Sequence, residues 1–178
     1  MGEFIVSGNN AKTFLQNVTT NDIQKLEAGK VQYSAFCNDS GGVIDDLLVY
    51  HLGDHYMLVV NASNIEKNFE WLSSKLIDDV SLEDKSDSIS LLALQGPLSR
   101  THLKKLYPKI EDLKYYETLL PDNNEVIVAR TGYSGELGFE IYAPNSIILK
   151  LWNEILSLSD DILPVGLGCR DSLRLEMG

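Results

Sequence analysis

The run Val43-Ile-Asp-Asp-Leu-Leu-Val-Tyr50 places two adjacent aspartates inside an otherwise apolar strand pattern. Side chains alternate along a strand, so Asp45 shares a face with Val43, Leu47 and Val49, while Asp46 joins Ile44, Leu48 and Tyr50. Whichever face packs on the core, one carboxylate goes with it. Burying an unpaired carboxylate is costly, so that residue must be paired, protonated or used. Two readings stay open. Either a strand-start aspartate bonds the backbone N–H groups of the Gly41-Gly42 turn, or a carboxylate with a tuned pKa sits in a pocket.

The flanking sequence sets this strand in an antiparallel meander. Lys30–Cys37 and Val43–Tyr50 are strand-like runs joined by the turn-rich Asn38-Asp-Ser-Gly-Gly42, and Tyr56–Val60 follows a Gly53-Asp54 turn. Ahead of them, Glu3–Val6 reads as a strand and Asn10–Asn17 as a helix. A capping box, Ser63-x-x-Glu66, predicts a helix whose apolar face is Ile65, Phe69, Leu72 and Leu76. Strands are expected at Val80–Glu83, Ile89–Leu94, Val126–Arg130 and Phe139–Tyr142. Helices are expected from Gly96-Pro97 to about Leu106, around Ile148, Leu151, Trp152 and Ile155, and over Cys169–Glu176, with Gly178 as a candidate C-cap. Strands and helices do not alternate regularly, so the class is α+β, with antiparallel or mixed sheets and packed helices. The polar stretch Leu82–Ser90 divides the 178 residues into two α+β halves, 1–85 and 86–178.

Charge and composition exclude several function classes. The net charge of -11 repels phosphate backbones and anionic lipid, which argues against nucleic acid and membrane as partners. No apolar run reaches the ~20 residues of a membrane helix. Cys37 and Cys169 are far apart and make no metal-spaced pair, so reduced thiols and no metal site are expected. His51 and His55 bracket the Gly53-Asp54 turn and read as solvated turn residues.

A second constellation is Arg130-Thr-Gly-Tyr-Ser-Gly-Glu-Leu-Gly-Phe-Glu140. Gly132, Gly135 and Gly138 permit close approach of a flat ligand but follow neither phosphate-binding pattern. Tyr133, Phe139, Glu136 and Glu140 suggest a stacking surface with a carboxylate acceptor, which suits an amino-pyrimidinone edge with adjacent N–H donors. A plain glycine-rich hairpin is the alternative. Asn61 ends a strand, either facing a ligand or serving as a turn residue. Arg170 and Arg174 share a helix face and either bind an anionic tail or pair with Asp171 or Glu176.

Met1-Gly-Glu-Phe4, Thr20-Asn-Asp22, Tyr33-Ser34, Cys37-Asn38, Gly41–Tyr50, Val60–Lys67, Leu94-Gln-Gly-Pro97, Arg130–Glu136 and Gly166–Glu176 occur in an order that resembles the glycine cleavage system T-protein family, the aminomethyltransferases. The resemblance implies a tetrahydrofolate-dependent transfer. An aminomethyl group on the lipoyl sulfur of a carrier, the H-protein, would give its methylene to tetrahydrofolate with release of ammonia. By position, Asp46 matches the family's key carboxylate, which orients the folate and stabilises positive charge as its nitrogen attacks an iminium-like carbon. Tyr33, Asn61, Tyr133, Glu140 and Arg170 match folate-pocket positions, with Leu48 and Tyr50 lining the same pocket and Glu140 on the pterin edge.

Leu137 stands where the family often has an acidic residue, and Cys169 where alanine is common. Family members also have a segment before Met-Gly-Glu and a C-terminal β-barrel domain, so the chain is expected to be a fragment, inactive alone. A cytoplasmic setting is expected, or the mitochondrial matrix in a eukaryote. The alternatives are a folate-binding assembly protein of the iron–sulfur maturation type, whose Lys-Gly-Cys-Tyr signature is not found here, and the folate domain of a methylamine-type dehydrogenase.

Overall fold

A computed structural model describes residues 1–121 and 125–177. The candidate C-cap at Gly178 lies outside them. The described chain forms two compact units, Met1–Ser88 and the residues from Ile89 onward. Both are α+β with antiparallel sheets.

The first unit is built on a five-stranded sheet. Its strands are β1 (Gly2–Ser7), β2 (Val31–Cys37), β3 (Val43–His51), β4 (Tyr56–Val60) and β5 (Ser81–Asp84), in the order β2-β3-β4-β1-β5. The meander β2-β3-β4 forms as the turn chemistry predicts, and β1 pairs outside it with β4 and β5. Helices α1 (Ala11–Val18) and α2 (Ile65–Ser73) contribute to the core on one sheet face. That core gathers Phe4, Val6, Phe14, Leu15, Phe36, Leu47, Val49, Leu58 and Leu72. Each such side chain contributes roughly 1.5–3 kcal/mol through burial.

Three local expectations fail here for identifiable reasons. The Ser63 capping box does not form, because Ala62–Asn64 is a 3-10 turn and α2 starts only at Ile65, with no side-chain cap. Leu76 falls beyond the end of α2 and is exposed. His51 is half-buried, with its ring on the Leu26 and Gly53 carbonyls at 3.0 and 3.2 Å and stacked on Tyr56 at 4.5 Å.

The second unit holds the sheet β6-β9-β8-β7, from β6 (Ile89–Gln95), β7 (Thr118–Leu119), β8 (Ile127–Ala129) and β9 (Gly138–Pro144). The two-residue β7 is too short for periodicity to reveal. Helices are α3 (Ser99–Leu103), α4 (Asn145–Leu156) and α5 (Leu167–Glu176). Ile148, Leu151 and Ile155 of α4 are buried beside Phe139, Ile141 and Val128, whereas Trp152 is 39% exposed. Helix α3 stops well before Leu106. Among the described residues no helix is long and apolar enough to cross a membrane.

Candidate functional site

Strand pairing resolves the aspartate pair. Phe36, Leu47, Val49 and Leu58 face the core, so Asp45 lies on the core face and Asp46 on the other. Asp45 is 8% exposed, and its carboxylate accepts from Asn68 Nδ2 at 2.6 Å and Asn61 Nδ2 at 2.8 Å. Burial alone would raise its pKa. Hydrogen bonds from Asn68, Asn61, Asn64 and the Asp46 backbone outweigh that and hold the carboxyl below its ordinary value. The Gly41-Gly42 turn is not its partner, since Gly42 N–H donates to Asn38 Oδ1 at 2.8 Å.

Asp46 is half-buried on the opposite face, beside its cross-strand neighbour Ala35 and diagonal to Tyr33, two residues further along β2. The Tyr33 hydroxyl donates to Asp46 Oδ2 at 2.7 Å, and Asn61 Nδ2 donates to Asp46 Oδ1 at 2.7 Å. Asn61 is therefore no mere turn residue; its single amide nitrogen joins both aspartates. Tyr33 is 53% exposed, so this carboxylate stands next to accessible aromatic surface. Leu48, two residues along, is half-buried and shares the face. Tyr50 shares the face of Asp46 but lies four residues away, about 13 Å along a strand, and has no exposed surface.

In the second unit, Glu140 projects from β9 on the face opposite Phe139 and Ile141, and is 6% exposed. Its Oε2 accepts from Thr131 Oγ1 at 2.5 Å and, at 3.4 Å, from the Tyr142 hydroxyl. The glycine-rich segment lines a cleft of about 250 Å³ with Tyr115, Arg130, Thr131, Glu136 and Leu137. Tyr133 is 50% exposed; Arg170 lies 4.6 Å from its ring centroid and Arg174 5.7 Å. Both arginines of α5 thus share this ring, and Arg174 also pairs with Asp171 at 2.9 Å.

One organising residue escapes local sequence reasoning. The Gln95 amide donates to the Thr131 and Phe139 carbonyls at 3.3 and 3.2 Å, and its oxygen accepts from Ser134 at 2.9 Å. A Cβ at Gly132 would lie 2.7 Å from Gln95 Nε2, and one at Gly138 2.5 Å from it. These two glycines are small because Gln95 fills their side-chain space. Only their six-residue spacing around Ser134 hints at this in the sequence. Among the described residues no group of three or more His, Cys, Asp or Glu is placed to hold a metal.

Two α+β units with antiparallel sheets agree with the comparisons. The model of the GCVT N-terminal domain matches residues 1–178, and the chain belongs to that family. It is 50% identical to the aminomethyltransferase of Chloroherpeton thalassium over 185 residues, covering all of this chain and 51% of the relative. It is 47% identical to the aminomethyltransferase of a Geobacillus species, covering 99% of this chain and 50% of the relative. The chain thus spans about half the length of these curated relatives. The crystal structure of glycine cleavage system aminomethyltransferase T from Bartonella henselae superposes with a TM-score of 0.91 at 32% identity, over 98% of this chain and 48% of that one. Heterotetrameric sarcosine oxidase from a Corynebacterium species shares the fold alone, with a TM-score of 0.64 at 18% identity, over 93% of this chain and 83% of that one.

Proposed function

We propose that this chain is the folate-binding part of a tetrahydrofolate-dependent aminomethyltransferase of the glycine cleavage system. The observation that carries the reading is Asp46: a carboxylate on the sheet face opposite the core, clamped at one oxygen by Tyr33 and at the other by Asn61. A carboxylate held this way is pre-organised to stabilise positive charge without rearranging as the charge develops. Tetrahydrofolate supplies the nitrogen that accepts the one-carbon unit. Asp46 orients that nitrogen and stabilises the cationic character of the carbon transferred to it. Tyr33 and Leu48 offer the adjoining surface. In the second unit, buried Glu140 is suited to in-plane N–H donors such as a pterin edge presents, and Tyr133 with Arg170 forms a flat cationic surface.

The donor in this reading is the aminomethyl-lipoyl arm of an H-protein, whose carbon leaves both its nitrogen and its sulfur, releasing ammonia and the dihydrolipoyl carrier. Both cysteines are free thiols and the relatives named above are bacterial, which fits a cytoplasmic setting.

Anaerobic calorimetric titration with tetrahydrofolate tests the assignment, on this chain and on the complete polypeptide. Saturable binding that Glu140→Ala weakens, with Asp46→Asn abolishing transfer, is the expected result. A folded complete polypeptide that does not bind tetrahydrofolate would refute the folate assignment.

A further inference from the structure

Asp45 is a buried anion on the core face of the first unit, and three asparagine amides converge on it. Asn68 reaches it from α2, Asn64 from the turn before that helix, and Asn61 from the end of β4. Core burial does not require this arrangement. An apolar residue at position 45, with an apolar partner at 68, would fill the same space without three polar side chains.

The geometry of Asn61 shows what the arrangement accomplishes. An asparagine amide nitrogen carries two hydrogens and its oxygen none. Here Nδ2 lies 2.8 Å from Asp45 Oδ1 and 2.7 Å from Asp46 Oδ1. Both hydrogens are therefore committed, one to each carboxylate. A 180° flip of the amide would set its oxygen against both anions. Asp45 is itself immobilised by Asn68 at 2.6 Å through its second oxygen.

We propose that Asp45 is a positioning residue: its buried carboxylate fixes the orientation of the Asn61 amide, which in turn aims the Asp46 carboxylate. The buried charge also stands behind Asp46 as a fixed negative field, raising its hold on a cationic group in front of it. The proposal rests on the reading of Asp46 as the group that meets the substrate. Without Asp45, Asn61 keeps only one anion to orient it, and the grip on Asp46 Oδ1 loosens while Tyr33 still holds Oδ2.

The test is steady-state folate-dependent ammonia release by the complete polypeptide carrying this chain, with Asp45→Asn, Asn61→Ala, their double mutant, and Asp46→Asn. A misplaced reacting group costs up to about 10²-fold in rate. Asp45→Asn is expected to lower kcat at least tenfold while the KM for tetrahydrofolate moves far less. Asn61→Ala is expected to add little in the Asp45→Asn background, because both act through one amide. Should Asp45→Asn fail to fold, Asp45→Val with Asn68→Leu replaces the buried polar pair by an apolar one and is expected to show the same loss of kcat. Folded Asp45 variants with wild-type kcat, beside a slow Asp46→Asn, would overturn the proposal alone. Multiplying losses in the double mutant would overturn it too. Wild-type turnover by Asp46→Asn would overturn the reading of Asp46, and this proposal with it.

Discussion

Replacing Gly138 by alanine should destabilise the second unit, although the same change in an ordinary strand would be favourable. Glycine inside a strand costs about 0.5–1 kcal/mol relative to alanine, so a free position gains stability on substitution. Gly138 is not free: its added Cβ would lie 2.5 Å from Gln95 Nε2 and would displace that side chain. Displacement breaks the bonds of Gln95 to the Thr131 and Phe139 carbonyls and to the Ser134 hydroxyl. At about 1 kcal/mol net for each of three hydrogen bonds, the loss is roughly 3 kcal/mol before the strand gain is subtracted. We expect a net cost of about 2 kcal/mol. Trp152 lies in the second unit and Trp71 in the first, so urea unfolding followed by fluorescence in a Trp71→Phe background reads the second unit selectively. The decisive construction is the double mutant. Once Gln95→Ala has vacated the space, Gly138→Ala should cost nothing further. A Gly138→Ala protein as stable as its parent, or a double mutant whose losses add, would refute the reasoning.

Three further outcomes follow from the same geometry. Burial, opposed by the chain's amino terminus and reinforced by Asp84, pushes the Glu3 carboxyl up from 4.5 to about 7. The folded state then holds a proton that the unfolded state releases between those values, so Glu3 weakens the fold as pH rises from about 4.5 to 7. Glu3→Gln should therefore stabilise the first unit at pH 8, by about 3 kcal/mol, and do little at pH 4 in thermal melts across that range. Tyr33→Phe should change stability by under about 0.5 kcal/mol, because the ring is half exposed, while kcat drops about tenfold; unchanged kcat would remove Tyr33 from the site. Tyr133→Leu should loosen α5 by about 1 kcal/mol through lost stacking of Arg170, whereas Tyr133→Phe should retain most of it, as measured by hydrogen exchange of the α5 amides.

Much of this architecture was legible one-dimensionally. The α+β class and the β2-β3-β4 meander follow from alternating apolar runs separated by glycine-bearing turns, signals written within a few residues of each other. Period-two alternation alone determined that Asp45 and Asp46 point to opposite faces and that one of them is buried. The choice between them was tertiary, because it depends on which face α2 covers. The helix start is not local for a related reason: Ser63-x-x-Glu66 has the form of a cap, but Asn61 and Asn64 turn to Asp45 and the chain winds a 3-10 turn there instead.

Alternation gives the side of a sheet and not the depth along it, so it puts Tyr50 on the face of Asp46 without showing that its side chain has no exposed surface. The role of Gln95 has almost no local signal, since its partners at Thr131 and Phe139 are 36 and 44 residues away. Residue type and spacing thus determined which groups were available and which must be satisfied. Only the packed structure decided their partners, because hydrogen bonds and close contacts act over about 3 Å of space, whatever the distance along the chain.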